Sequence, residues 1–286
     1  MEKGARFQVS KENQNQEKKR IVKKNLEIRK KTSAAAFLSE ETGLSKKKIK
    51  DAMTKGAVWI SLKGKQKRLR RAASILPVGS FVSLFYDQKI LELKPKKSEP
   101  VFKSSTYSVW IKPRGTQCGG TKYGDHCTIN RILEMQLKRP CFLVHRLDRF
   151  CTGVLAIAHS KGSAKAISQQ FRDRLVIKKY KAIVHGHVEK KMLLESPIDG
   201  KAATTNIVPI CFGGNRTLVS IHIRTGRKHQ IRKHLSKAGF PIIGDRQYGS
   251  QSKIDLQLAS VFIGFVCPEA KEQVSFELPT PLHPRL

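Results

Sequence analysis

The segment Val144-His145-Arg146-Leu147-Asp148-Arg149 holds a single carboxylate among cations. His145, Arg146 and Arg149, and further on His159, surround Asp148, while the next acids along the chain are Glu134 and Asp173. A carboxylate isolated in this way can act as a nucleophile or a base, provided that neighbouring cations keep it ionised. Something rigid must hold it. Phe142-Leu143-Val144 precedes the segment and Val154-Leu155-Ala156-Ile157-Ala158 follows it. Two short apolar runs separated by a charged, Gly-containing loop predict two buried strands with the loop displayed between them. A sheet presenting a lone acid among cations is a fitting active-site arrangement. A loop Asp that caps its own backbone would leave the same local pattern.

Downstream, Ala164, Ile167, Phe171 and Leu175 follow helical spacing, which predicts a helix over 163–174. Tyr180, Ala182 and Val184 alternate as in a strand, and Lys179 and Lys181 beside Tyr180 suggest an exposed edge. Val219–Ile223 alternates likewise. Thr225-Gly226 is placed to cap a following helix, with Ile231, Leu235 and Ala238 facing inward and Arg227, Lys228, Arg232, Lys233 and Lys237 leaving it basic. Such a helix start, carrying Arg224 and Arg227, suits a phosphate or a carboxylate.

The chain of 286 residues carries 56 Lys and Arg against 22 Asp and Glu, a formal charge of +34. A polyanion is the physical expectation for a partner, because each neutralised phosphate releases condensed counterions. The basic segments lack the long apolar face that a membrane surface requires, and no run of about eighteen apolar residues predicts a span. The first residues are polar and include Glu2, Glu12 and Glu17, unlike a secretory leader. The six cysteines, at 118, 127, 141, 151, 211 and 267, form no Cys-x-x-Cys pair. Reduced thiols in a cytoplasmic protein, without metal or disulfide, are therefore expected.

Residues 1–31, with eleven Lys and Arg against four Glu, read as a basic arm. A compact module follows over 32–93. Thr32 and Ser33 open a first helix around Phe37 and Leu38, and Gly43 ends it. Ser45 caps a second helix with Ile49, Ala52 and Met53 on one face and Lys46, Lys47, Lys48 and Lys50 on the other. Strands are expected at 57–62 and 81–86, with a basic insert between them: Lys63, Lys65, Lys67, Arg68, Arg70 and Arg71. Residues 94–104 read as a polar linker and 105–286 as a second, larger domain holding the Asp148 segment. No internal repeat is visible.

The string His145-Arg146-Leu147-Asp148-Arg149 resembles the nucleophile motif of the RluA family of pseudouridine synthases. Four further stretches agree in order. They are 111–115 around Lys112-Pro113, 178–182 around Tyr180, 200–204, and 224–232, which runs on through Gly244-Asp245 to Tyr248-Gly249. The resemblance covers roughly residues 104–286. Cys151-Thr152 departs from the family's usual Thr-Ser at the turn beside the acid. The N-terminal module resembles, more weakly, the S4-like RNA-binding domain that many family members carry. The fold so implied is α+β: a catalytic domain around a mixed, largely antiparallel sheet, plus a small N-terminal α/β domain.

The activity so implied is isomerisation of uridine to pseudouridine in RNA, with no cofactor and no metal, by a monomer. Asp148 carries over as the nucleophile, Arg227 as its ion-pair partner, and Tyr180 as the residue stacked on the base and a candidate for taking the final proton. Ile231 carries over as an apolar wall of the pocket. Because a uridine inside a duplex is out of reach, the target must be flipped or unpaired, and Arg146 is the candidate for filling the space it leaves. His145, Arg224, Lys228 and Arg232 complete the expected substrate-binding set. The basic N-terminal module points to ribosomal RNA more than to transfer RNA. A non-catalytic RNA-binding or ribosome-assembly factor on the same scaffold is the rival reading. A DNA-binding protein finds no recognition-helix motif.

Overall fold

The computed structural model describes residues 21–286, so the greater part of the expected basic arm lies outside the described residues. The chain divides into two compact units. The first comprises residues up to Pro95 together with Gly119–Cys127, and the second comprises Lys96–Cys118 with Thr128–Leu286.

In the first unit the strands are β1 (Ile21–Glu27), β2 (Thr32–Ser33), β3 (Val58–Leu62), β4 (Lys65–Arg68), β5 (Ile75–Leu76) and β6 (Phe81–Asp87). The helices are α1 (Ala34–Thr42), α2 (Lys46–Thr54) and the short α3 (Gln88–Leu91). A four-stranded antiparallel sheet, ordered β1-β6-β3-β4, packs with α1 and α2 over a core that includes Leu38, Ile49, Met53 and Leu84. The Ser45 hydroxyl caps α2 by accepting from the Lys48 amide at 3.3 Å, and the lysine face of this helix is exposed.

Two sequence expectations change here. Residues 21–27 are not part of a free arm but a strand in register with β6, and Val22 and Leu26 turn inward between outward lysines. The insert after β3 is a hairpin. Lys63 and Gly64 both adopt positive φ (49° and 75°), as a tight turn between twisted strands demands. Within it Arg68 lies 4.2 Å over the Trp59 ring and 3.1 Å from Asp125, to which Arg70 also donates. Lys63, Lys65, Lys67 and Arg71 remain exposed.

The second unit contains β7 (Glu99–Lys103), β8 (Tyr107–Lys112), α4 (Ile129–Leu137), β9 (Phe142–Leu143), β10 (Thr152–Ala158), α5 (Lys161–Arg172) and β11 (Ile177–His185). After these come β12 (Met192–Leu194), β13 (Thr205–Phe212), β14 (Arg216–Ile223), α6 (Gln230–Lys237), β15 (Leu258–Val266) and β16 (Gln273–Glu277). Its ten-stranded sheet runs β12-β13-β14-β11-β15-β10-β8-β7, with β16 on β15 and β9 on β10. The pairs are antiparallel except β10 with β15, so the sheet is mixed and largely antiparallel, as expected.

Both faces of this sheet are buried, which explains the unbroken apolar run of β10. Leu155 and Ile157 join the core under α4 and α6, while Val154, Ala156 and Ala158 join the core under α5. The expected linker is revised in part, since residues 99–103 form the edge strand β7. Pro100 misleads a sequence reading, because proline at an edge removes no needed hydrogen bond. Tyr180 also sits differently from expectation: β11 lies between β14 and β15 and is not an edge. Lys179 and Lys181 belong to its other face.

Candidate active site

The loop carrying Asp148 runs from β9 to β10 and is held at several points. The Leu147 amide donates to Cys118 Sγ at 3.3 Å, and Leu147 is buried. The Ala156 amide of β10 donates to His145 Nε2 at 2.9 Å, and the His145 ring stacks on Phe171 at 4.6 Å. The Arg149 carbonyl accepts from Gly115 N at 2.8 Å and from Lys112 Nζ at 3.1 Å. Lys112 is wholly buried and also donates to the carbonyls of Pro113 and Thr116, so its charge is spread over the loop's own backbone. Cys151, where the motif departs from the family pattern, is buried and keeps the turn closed through its amide on the Asp148 carbonyl at 3.2 Å. Burial pushes the Cys151 thiol up to about 12.

Asp148 projects into a cleft of about 310 Å³, lined also by Arg146, Tyr180, Ile223, Arg227 and Ile231. Among the described residues no hydrogen bond reaches its carboxylate oxygens. Its ion-pair partners are Arg232, with Nη1 at 3.7 Å, and His229, with Nε2 at 3.8 Å. Burial lowers the pKa of His229 against the pull of Asp148, and its Nδ1 engages the Tyr248 hydroxyl at 2.9 Å. The permanent cation beside Asp148 is therefore Arg232. That guanidinium is itself fixed by Asp245, which accepts from Nε and Nη2 at 2.7 Å each, and it lies 5.0 Å from the Tyr248 ring centre. Burial acts to raise the pKa of Asp245, but the Arg232 hydrogen bonds and the amides of Gln247 and Tyr248 outweigh it and hold it low.

The expected pairing of Arg227 with Asp148 is not formed. The helix α6 begins at Gln230, with His229 as its left-handed cap, so Arg227 lies in the preceding turn and not at a helix start. Gln230 causes this: its side-chain oxygen takes the Arg227 amide and the Thr225 hydroxyl, and its amide group reaches back to Thr204 and Thr205. Arg227 spends its Nε on the Ala202 carbonyl at 3.0 Å while still lining the cleft.

Tyr180 and Ile231 form apolar walls, both nearly buried, and burial raises the Tyr180 pKa well above the usual phenol value, so its hydroxyl stays protonated at neutral pH. Arg146 and Lys228 are exposed at the cleft, and Arg224 lines an adjoining one. His145 is a strut: its Nε2 accepts from the backbone, and burial lowers its pKa to about 3. The sequence reading overlooked His229, Tyr248 and the Asp245 clamp. A signal existed, because an arginine next to Ile231 on an inward helix face needs an acid, and Asp245 was at hand.

An accessible carboxylate between an aromatic wall and an aliphatic one can attack an electron-poor carbon of a planar base and its sugar. Residues 106–237 match the RNA pseudouridylate synthase family. A relative named as the uncharacterized RNA pseudouridine synthase YlyB of Bacillus subtilis is 33% identical over 178 residues, covering 54% of this chain and 57% of its own length. The ribosomal large subunit pseudouridine synthase D of Zymomonas mobilis is 30% identical over 166 residues, covering 49% and 52%. The chain thus spans about half the length of these relatives. The structure of human RNA pseudouridylate synthase domain containing 1 aligns with a TM-score of 0.57 at 22% identity over 67% of this chain and 88% of that one, a likeness of fold. The segment in which the chain matches the RNA pseudouridylate synthase family is therefore the one that holds Asp148, Tyr180, Arg227 and Arg232.

Proposed function

We propose that the chain is an RNA pseudouridine synthase whose nucleophile is Asp148 and whose substrate is ribosomal RNA. The observation that carries the reading is the Asp148 carboxylate itself, free of hydrogen bonds among the described residues, in a cationic cleft and held beside the fixed Arg232. The reaction breaks the bond from ribose carbon 1′ to base nitrogen 1 and forms one from carbon 1′ to carbon 5. The proton on carbon 5 leaves and nitrogen 1 gains one, so no redox partner or group donor enters. Asp148 supplies the electron pair that carries the intermediate. Arg232 stands beside the carboxylate as its countercharge. Tyr180 and Ile231 clasp the flipped base, with Tyr180 acting as a neutral phenol, and Arg146 fills the gap it leaves.

The first unit, with its exposed lysine helix and basic hairpin, acts as an S4-like RNA-binding module. Two relatives named as ribosomal large subunit synthases, from Zymomonas mobilis and Buchnera aphidicola, support ribosomal RNA as the substrate class. Asp148→Asn keeps shape and removes charge. It is expected to abolish pseudouridine formation, by at least about a thousandfold, while RNA binding survives. Near-normal product from that variant would refute the assignment. Mapping pseudouridines in total RNA from a deletion strain and its parent would identify the target.

A further inference from the structure

Beside the catalytic cleft lies a second one of about 430 Å³, sharing with it Arg146, Tyr180, Ile223 and Arg227. Four further cations line it, among apolar and neutral residues: Arg172 and Arg174 at the end of α5, Arg224 after β14, and Lys178 in β11. Among the described residues no carboxylate lines it. Lys178 is the unusual member. It stands two residues before Tyr180 on the same face of β11, its residue is 8% exposed, and among the described residues its ammonium has no hydrogen bond or ion pair. Lys112, the other buried lysine of this unit, satisfies its ammonium with three carbonyls. A buried lysine without partners is costly to a fold, and a functional ligand is the usual reason to keep one. Burial and Arg174 both lower the Lys178 pKa, as an anion in the cleft would reverse. His145, which lines the same cleft from the Asp148 loop, offers no countercharge.

We infer that Lys178, with Arg174 and Arg224, forms a phosphate site that takes the backbone phosphate of a nucleotide flanking the flipped uridine. The inference rests on the proposed activity only for the identity of the polymer. The shared residues Arg146 and Arg227 make the two clefts continuous, so a strand whose base enters one cleft passes its phosphate into the other. A phosphate oxygen supplies what the ammonium lacks, and the arginines on the rim supply further donors. Neither the isolated acid nor the basic rim alone would point to this residue; the missing partner does.

The test uses the full chain with Asp148→Asn to prevent turnover, and a short oligoadenylate carrying one central uridine as the probe. Lys178→Met is expected to weaken binding about tenfold at low salt and to make the slope of log K against log salt shallower by about 0.7, one single-strand phosphate. Lys178→Arg should retain most of both. Without RNA, Lys178→Met should raise the melting temperature, because a buried charge is removed, and inorganic phosphate should stabilise the parent more than the variant. Unchanged affinity and slope would overturn the inference, and so would a lower melting temperature in Lys178→Met, which would mark the lysine as structural. Protection by inorganic phosphate that depends on Lys178, with an unchanged RNA slope, would assign the site to free phosphate and overturn the polynucleotide reading. Should Lys178→Met not fold, Lys178→Gln carries the same comparison. A Lys178-dependent slope in a protein that makes no pseudouridine would sink the proposed activity and leave this site standing.

Discussion

At the scale of single residues, the division of labour between Arg232 and Arg227 governs the site. Arg232 joins two carboxylates, one buried in Asp245 and one accessible in Asp148. Arg232→Met strands the buried acid and is expected to lower stability by roughly 3–5 kcal/mol as well as to depress turnover. Adding Asp245→Asn should restore much of the stability but not the rate, and urea unfolding beside single-turnover kinetics separates the two effects. Arg232→Lys keeps charge without the fork and should fall between. Arg227→Ala loses one bond to a carbonyl, so its stability should change by no more than about 1.5 kcal/mol while RNA affinity falls. His145 provides a pH signature. Its ordinary pKa in the unfolded chain is about 6.5, and in the fold it is about 3. Between those values the unfolded state binds the extra proton, so the stabilisation is complete above about pH 6.5 and is lost as pH falls toward 3. Urea titrations at pH 6.5, 5.5 and 4.5 should show His145→Gln removing up to about 1.4 kcal/mol per pH unit of that slope. An unaltered slope would mean that the ring titrates normally.

At the scale of elements, the site is a loop clamped between strands and a turn that sets an arginine. Gly153, the second residue of β10, lies at φ 120°, and a Cβ there would overlap the backbone of Ser260 on β15. Gly153→Ala must therefore push apart the one parallel pairing of the sheet, next to Asp148 and Tyr180. The expected outcome is a folded protein with slower turnover in the proposed reaction, or loss of soluble protein, with Gly200→Ala, at a glycine with open space around it, as the control for backbone strain alone. The strands around Asp148 were legible in the sequence because apolar runs and glycine punctuation are local signals. Helix α5 was legible to within two residues for the same reason. The start of α6 was not, because the side chain of Gln230 gathers backbone and hydroxyl partners from Thr204, Thr205 and Thr225 and displaces the cap. Such long-range hydrogen bonding leaves no periodic trace. The same holds for Arg232: spacing marks it as basic, and only the tertiary approach of Asp245 turns it into a fixed cation.

At the scale of the whole molecule, the two units are interleaved in sequence. Residues 119–127 leave the second unit and join the first, where Asp125 takes Arg68 and Arg70 and the Lys122 carbonyl takes the Trp59 indole. Composition could not reveal this, since the excursion is a short polar stretch within the sequence of the second unit. It alters how the role of the first unit must be tested. Deleting residues 1–95 alone would strip Asp125 of both arginines and leave the excursion without its seat. Gln117 and Thr128, however, form a bridge pair, and the Ile129 amide donates to the Gln117 carbonyl at 2.9 Å. The ends of the excursion are therefore close enough for a Gly-Ser link of about three residues to replace 119–127. A chain of residues 96–286 with that replacement should retain the core on both faces of the ten-stranded sheet. It loses the exposed lysine face of α2 and the basic hairpin, so its affinity for long RNA should fall and its salt slope should flatten by several phosphates' worth, each about 0.7 to 0.9. Turnover of a short single-stranded substrate at saturating enzyme should persist within about tenfold, because Asp148, Tyr180, Arg227 and Arg232 all lie in the retained part. An unchanged salt slope would remove the first unit from RNA binding. Loss of turnover in a folded product, judged by its unfolding transition, would place part of the catalytic machinery in the deleted residues.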